Sequence, residues 1–185
     1  MDSKATLKRK HILESATKFI LTEDFQSLTL DAVAKEAGVS KGGLLYHFPN
    51  KEELLKGLTL YIFEQFNALF DSFAQNDPDE SGKWCRAYIQ ASRVDLEQNA
   101  ALTVGVMSAT LLQPFIVESM SHNYSYLLRR LDSDDLDPAT VSIIRLTIDG
   151  MYYSVLYKIE PLNKELLEEV MSRLMSMTRI RRNEA

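Results

Sequence analysis

The chain has 185 residues, 45% hydrophobic and 25% charged, with seven glycines, five prolines and a net charge of −5. That balance fits one sizeable core or two small ones, and no apolar run reaches the roughly 18 to 20 residues that a membrane-spanning helix needs. The single cysteine, Cys85, excludes an intrachain disulfide, and His11, His47 and His122 show no ligand spacing, so neither a metal nor a cofactor is expected.

A first helix is expected from Lys4 to about Leu21, where Leu13, Ala16, Phe19 and Ile20 share one face. Its basic start (Lys4, Lys8, Arg9, Lys10, His11) has no signal-type apolar stretch behind it, and a cytoplasmic location is expected. Thr29 then caps a short helix with Leu30, Val33, Ala34 and Ala37 on one face. Gly38 ends it, Val39 forms an apolar plug, and Ser40 caps a second short helix bearing Leu44, Leu45 and Phe48. Two such helices joined by a glycine-containing turn describe a helix-turn-helix, in which the second helix enters the DNA major groove; the alternative is a plain αα-hairpin. Pro49 stops the second helix, and Asn50 with Glu53 starts a long one at Lys51. Tyr46, His47 and Lys51 therefore gather at helix ends, where backbone N–H groups favour an anion such as phosphate.

The long helix runs to about Phe73 through Leu54, Leu58, Ile62, Phe66, Leu69 and Phe70, and residues 75–82 form a polar connector. A helix from Lys83 to Gln98 presents Trp84, Tyr88, Ala91 and Asp95. The weakly polar stretch from Ala100 to Val117 is read as interrupted at Gly105 and Pro114, with a further helix from Glu118 to Leu131. Asp137 and Pro138 make an N-cap followed by proline at the first helical position. From Ala139 to Ile159 the chain is apolar nearly all round. After Pro161, Leu162, Leu166, Val170, Leu174 and Met177 form one stripe and Leu167, Met171 and Met175 a second. Two stripes require two partners, most simply the rest of the chain and the same helices of a second subunit. A homodimer is thus expected through Val155, Leu166, Val170 and Leu174.

Charge divides unevenly. Residues 1–60 carry nine lysines and arginines against eight acids, and residues 61–185 carry 12 against 18. Positive charge can still face phosphate, since Lys41 and Lys51 flank the recognition segment.

The run Gly38-Val39-Ser40-Lys41-Gly42, with Leu44, Tyr46-His47-Phe48 and Asn50-Lys51-Glu52-Glu53-Leu54, resembles the tetracycline-repressor (TetR) family of bacterial transcriptional regulators. Arg145-Leu146 with Asp149-Gly150 resembles its C-terminal pattern less specifically. Two positions depart from the family: Leu45 stands where a phosphate-touching tyrosine is usual, and Gly43 where Thr, Ser or Ala is common. The resemblance implies an all-α fold of about nine helices. A helix-turn-helix domain over residues 1–49 would be followed by a ligand-binding and dimerisation domain over 50–185, with residues 50–74 as the connecting helix.

It also implies a ligand-responsive repressor that binds a palindromic double-stranded operator as a homodimer. The expected DNA contacts are Thr29, Ser40, Lys41, Gly42, Gly43, Tyr46, His47 and Lys51, with Lys41 placed to reach guanine. Candidate ligand contacts are Phe66, Phe70, Trp84, Tyr88, Met107, Tyr124, Arg145, Asp149 and Tyr152, residue types that suit plain core equally. With the excess acid of this part, an apolar or cationic effector fits better than an anion, while Arg145, able to pair one carboxylate, keeps the anionic alternative open. An enzyme is disfavoured: no nucleophile–histidine arrangement, phosphate loop or metal spacing is present. A helical binding module with an unused helix-turn-helix is the remaining alternative.

Overall fold

The computed structural model describes residues 3–110 and 114–179. Among these residues the chain is all-α, with nine helices in the order α1 (Lys4–Thr22), α2 (Leu30–Glu36), α3 (Lys41–His47), α4 (Lys51–Gln75), α5 (Lys83–Gln98), α6 (Ala100–Thr110), α7 (Pro114–Asp132), α8 (Pro138–Tyr157) and α9 (Lys164–Met177). No described helix is long and apolar enough to cross a membrane. The chain packs as two compact units, Met1–Phe63 with Ala101–Val117, and Glu64–Ala100 with Glu118–Ala185.

In the first unit, local capping sets where the helices begin. The side-chain oxygens of Thr29, Ser40 and Asn50 accept from the backbone N–H groups of Ala32, Gly43 and Glu53 at 3.1, 3.1 and 2.9 Å. Gly38 takes φ +62°, a left-handed conformation that side chains with a Cβ resist, and Val39 N–H then closes on the Ala34 carbonyl at 3.0 Å. The core gathers Ile12, Leu13, Ile20, Leu28, Val33, Leu44, Phe48, Leu54 and Leu58, and is completed by Leu102 and Val106 of α6. Here the sequence expectation is corrected. Gly105 does not interrupt α6; it lies inside the helix, where a Cβ would stand 2.8 Å from the Phe25 Cβ, so glycine admits a close approach. Pro114 does mark a boundary, as expected, but α7 begins at that proline and not at Glu118, because the first turn needs no N–H from it.

The second unit closes around Phe70, Cys85, Tyr88, Ile89, Leu127, Leu131, Ile144, Ile148, Met171 and Leu174. Its α5 begins at Gly82 without a local side-chain cap. Asp134, some fifty residues later, supplies one: its carboxylate accepts from Trp84 N–H at 3.3 Å and Cys85 N–H at 2.7 Å. Arg86 fastens the connector before α5. Its Nε and Nη2 donate to the Asp77 carboxylate at 2.7 and 2.9 Å, and its guanidinium also reaches the Ser81 and Asp79 carbonyls. Asp137 caps α8 through Ala139 and Thr140 N–H, with Pro138 at the first position. On α9 the buried side draws from both expected stripes, since Met171 and Leu174 are in the core with Leu167 and Val170 packed against it, while Leu162 and Leu166 stay exposed.

Candidate functional site

The α2–turn–α3 segment presents one free surface. Leu44 and Phe48 fix α3 to the core, so its other side carries Lys41, Gly42, Tyr46 and His47 outward, and Tyr46 is 78% exposed. A Cβ on Gly42 would meet nothing within 4 Å, so no packing inside the chain asks for glycine there. Two consecutive glycines in a seven-residue helix cost roughly 0.5–1 kcal/mol each against alanine. Gly43 is tighter: its Cβ would come 3.2 Å from Ser40 Oγ and 3.7 Å from Lys8 Nζ, which places an α1 lysine beside the start of α3.

The basic side chains divide into two kinds. Lys41 Nζ reaches the exposed Asp31 carboxylate at 3.0 Å, a solvated pair that an incoming phosphate or base edge can replace. Lys51 Nζ donates to the Leu28 carbonyl at 2.6 Å and so holds the turn before α2, with two further N–H groups remaining for an anion. Lys51→Ala is therefore expected to lower the thermal midpoint by a few degrees, a loss of about 1 kcal/mol, while Lys41→Ala leaves it unchanged; paired thermal melts check this. Tyr46 stacks edge-on against His47 at 5.0 Å between ring centroids. Partial burial, then the charges of Lys8 and Arg9, hold the His47 imidazole below its ordinary pKa. The ring is thus kept neutral at neutral pH beside two cationic side chains of α1.

The structure separates the expected ligand residues of the second unit into two groups. Phe70 is fully buried and packs against Trp84 at 5.3 Å, with the Arg130 guanidinium 4.5 Å over the indole, so these form core and its cover. Tyr88, Tyr124, Arg145 and Asp149 converge: the Tyr88 and Tyr124 hydroxyls donate to the Asp149 carboxylate at 3.2 and 2.6 Å, and Arg145 Nη1 lies 3.5 Å from it. Phe66 sits edge-on to Tyr88 at 6.3 Å, and Tyr152 donates to Asp95 at 2.8 Å. Asp95 and Ser92 complete this polar set; the sequence places Asp95 on the same face as Trp84 and Tyr88 without assigning it a role, and Ser92 looks like an ordinary position on an amphipathic helix. The side chain of Met107 lies outside the described residues.

Of the expected dimer contacts, Leu174 is buried in the chain's own core, Val155 and Val170 are half-buried, and Leu166 is exposed. A longer exposed stripe runs along α8 instead, through Ile143, Leu146, Gly150, Tyr153 and Tyr157 at helical spacing.

Comparison with known proteins agrees with this architecture. Residues 12–58 match the family model for bacterial regulatory proteins of the tetR family, and residues 82–179 match the model for a tetracyclin repressor-like C-terminal domain. Among curated relatives, the nucleoid occlusion factor SlmA of Shewanella sp. (strain W3-18-1) is 28% identical over 96 residues, which cover 52% of this chain and 48% of that protein. The chain thus matches about half the length of these relatives. A putative TetR-family transcriptional regulator from Rhodococcus sp. superposes with a TM-score of 0.70 at 19% identity, covering 93% of this chain and 97% of its own. The multidrug binding protein EbrR complexed with ethidium gives 0.66 at 22%, covering 94% and 99%. At these identities the structural likeness speaks for the fold.

Proposed function

Because this chain belongs to the tetR family of bacterial regulatory proteins, we propose that it represses transcription by binding a two-fold-symmetric operator as a homodimer, and that a small molecule held in its second unit releases the DNA. The family and fold are those of transcriptional regulators that bind DNA, not of enzymes. The observation that carries the reading is the outward side of α3. It is short, rigidly capped, anchored by Leu44 and Phe48, and bears two glycines, with Gly42 answering to no internal contact.

In this reading α3 lies in the major groove and Gly42 and Gly43 let its backbone come close to the DNA. Lys41 exchanges Asp31 for a guanine edge, a contact worth roughly 1–3 kcal/mol of discrimination. The hydroxyl of Thr29, whose oxygen already caps α2, and the side chains of Ser40, Tyr46, His47 and Lys51 position the phosphate backbone. Few side chains read bases, so part of the sequence preference comes from DNA shape.

Two such units must span successive major grooves, about 34 Å apart, which calls for a dimer. The exposed α8 stripe together with Leu162 and Leu166 supports an assembly of α8 and α9 about a two-fold axis. Helix α4 contributes residues to both units, so a tilt at one of its ends is felt at the other. The effector then weakens operator binding by the ratio of its affinities for the two conformations, typically 1–3 kcal/mol.

Selecting duplexes from a random pool and measuring anisotropy with wild-type and Gly42→Ala protein tests the DNA reading. Gly42→Ala is expected to leave the free protein as stable or stabilise it by up to about 1 kcal/mol, and yet to weaken binding to the selected duplex by about tenfold. A variant that gains stability and binds as tightly as wild type removes the close backbone approach from the proposal.

A further inference from the structure

Inside the second unit, three tyrosine hydroxyls from α5, α7 and α8 point at two carboxylates. Tyr124 donates to both Asp149 oxygens at 2.6 Å, Tyr88 donates to the same carboxylate at 3.2 Å, and Tyr152 donates to Asp95 at 2.8 Å. Burial first, and the adjacent carboxylates next, keep all three phenols protonated; Tyr124 is pushed up to about 12 and the other two well above their ordinary value. They are therefore permanent donors, and each holds negative charge in place within the core.

The cation that answers Asp149 is Arg145, which also lies against the Tyr124 hydroxyl. Arg145, one turn earlier on α8, approaches it only to 3.5 Å, and both side chains remain partly open to solvent, at 28% and 21%. A helical i,i+4 pair of that length contributes little. Arg145 also lines a cavity of about 320 Å³ between α7 and α8, whose walls include Leu128, Leu131, Leu136 and Val141 and whose rim carries Asp132. That volume lies at the small end of the range for ligand pockets. Asp132 shares this cavity with Arg145, and Asp149 stands one turn further along α8, 3.5 Å from the same guanidinium. On α5, the Ser92 hydroxyl is fully buried beside Tyr152 and one turn from both Tyr88 and Asp95. It lies near enough to favour the Tyr152 phenolate, but makes no hydrogen bond of proper geometry. A buried hydroxyl left in that state is uncommon and suits a site whose polar partner arrives from outside.

We infer that this groove takes an organic monocation, whose apolar body lies against Leu128, Leu136 and Val141 and whose N–H-bearing head replaces the Arg145 guanidinium on Asp149. Arg145 serves as a resident stand-in for the ligand's charge: it keeps Asp149 neutralised when the groove is empty and swings aside when a cation enters. Ser92 and Asp95 extend the polar end of the site. Arg145 lies about 100° around α8 from Leu146 and about 80° from Tyr153, so the groove opens beside the exposed stripe of that helix. The inference rests on the proposed effector role of the second unit and specifies the class of effector.

Calorimetry on the full chain with two probes of one shape and opposite charge, 1-naphthylmethylammonium and 1-naphthylacetate, tests it. The ammonium is expected to bind and the carboxylate to bind at least about tenfold more weakly. Asp149→Asn is expected to weaken the ammonium by about tenfold, and Arg145→Met to strengthen it several-fold by removing the competitor. Should Asp149→Asn fail to fold in a thermal melt, Arg145→Met decides alone, since it leaves the tyrosine hydroxyls on Asp149. Preference for the carboxylate, weaker ammonium binding by Arg145→Met, or no binding of either probe to wild type overturns the inference. Operator binding by the same preparation, with and without each probe, reports separately. Release of DNA by the carboxylate alone refutes the cationic class and leaves the repressor reading standing.

Discussion

Arg86→Met is expected to destabilise the protein by about 3–5 kcal/mol at neutral pH, measured by urea unfolding, with the deficit shrinking under acid. Arg86 is 5% exposed and binds the Asp77 carboxylate through two hydrogen bonds, so its removal leaves a largely buried carboxylate with the Asp79 N–H but without its cation. The Arg86 hydrogen bonds are the main cause that holds Asp77 below the ordinary carboxylate range. A folded-state pKa below the unfolded one stabilises the native state above the unfolded value, near pH 4, and the contribution is lost as pH falls through the depressed folded value. Wild type therefore loses this advantage in acid, and the two unfolding curves approach each other below about pH 4. Asp77→Asn, which keeps an acceptor for the guanidinium, is expected to cost less. Equal stability of Arg86→Met and wild type at pH 7 would show that the connector contributes nothing to the fold.

If the proposed dimer forms, Tyr153→Asp is expected to convert it to single chains at micromolar concentration and to reduce affinity for the proposed operator by roughly a hundredfold, because each half-site is then bound without the other. Tyr153 is more than half exposed in the single chain and stacks only on its neighbour Tyr157 at 6.3 Å, so the charge has no folding penalty of consequence. The same charge buried between two copies of α8 is costly. Gly150 lies in the middle of this stripe, and a Cβ there would meet nothing within 4 Å of the chain itself. A glycine with no internal partner in a twenty-residue helix fits a crossing point at which two α8 helices come close, and Gly150→Leu should weaken association as well. Analytical ultracentrifugation settles both variants, and a wild type that sediments as a single chain would defeat the assembly.

The parts legible in the sequence were those encoded within one turn. Thr29, Ser40, Asn50 and Asp137 each sit three residues or fewer before the N–H they accept from, and each caps the helix it was expected to begin. The glycine turn of the helix-turn-helix was read for the same reason. What stayed hidden depends on residues far apart in the chain. Nothing local announces that Asp134 caps α5, that Phe25 explains Gly105, or that Lys51 holds the Leu28 carbonyl. Pro114 marks a boundary in sequence and structure alike, but local sequence does not show that the next helix begins on the proline itself and not four residues later. The tyrosines of the second unit were visible as aromatics at helical spacing. Their division into a packed pair around Phe70 and a polar set around Asp149 depends on which helices meet.

One consequence concerns how such a head could be moved between proteins. The core of the first unit draws Leu102 and Val106 from α6, a helix that follows nearly forty residues of the other unit in the chain. A fragment cut after Phe63 would retain every expected DNA contact and lose part of the floor beneath them. Recombination that exchanges only the first sixty residues must therefore either carry a matching α6 or find a new surface to seal Phe25. The helix-turn-helix unit of this chain is thus assembled from two separated stretches of sequence, and the two are constrained to diverge in step.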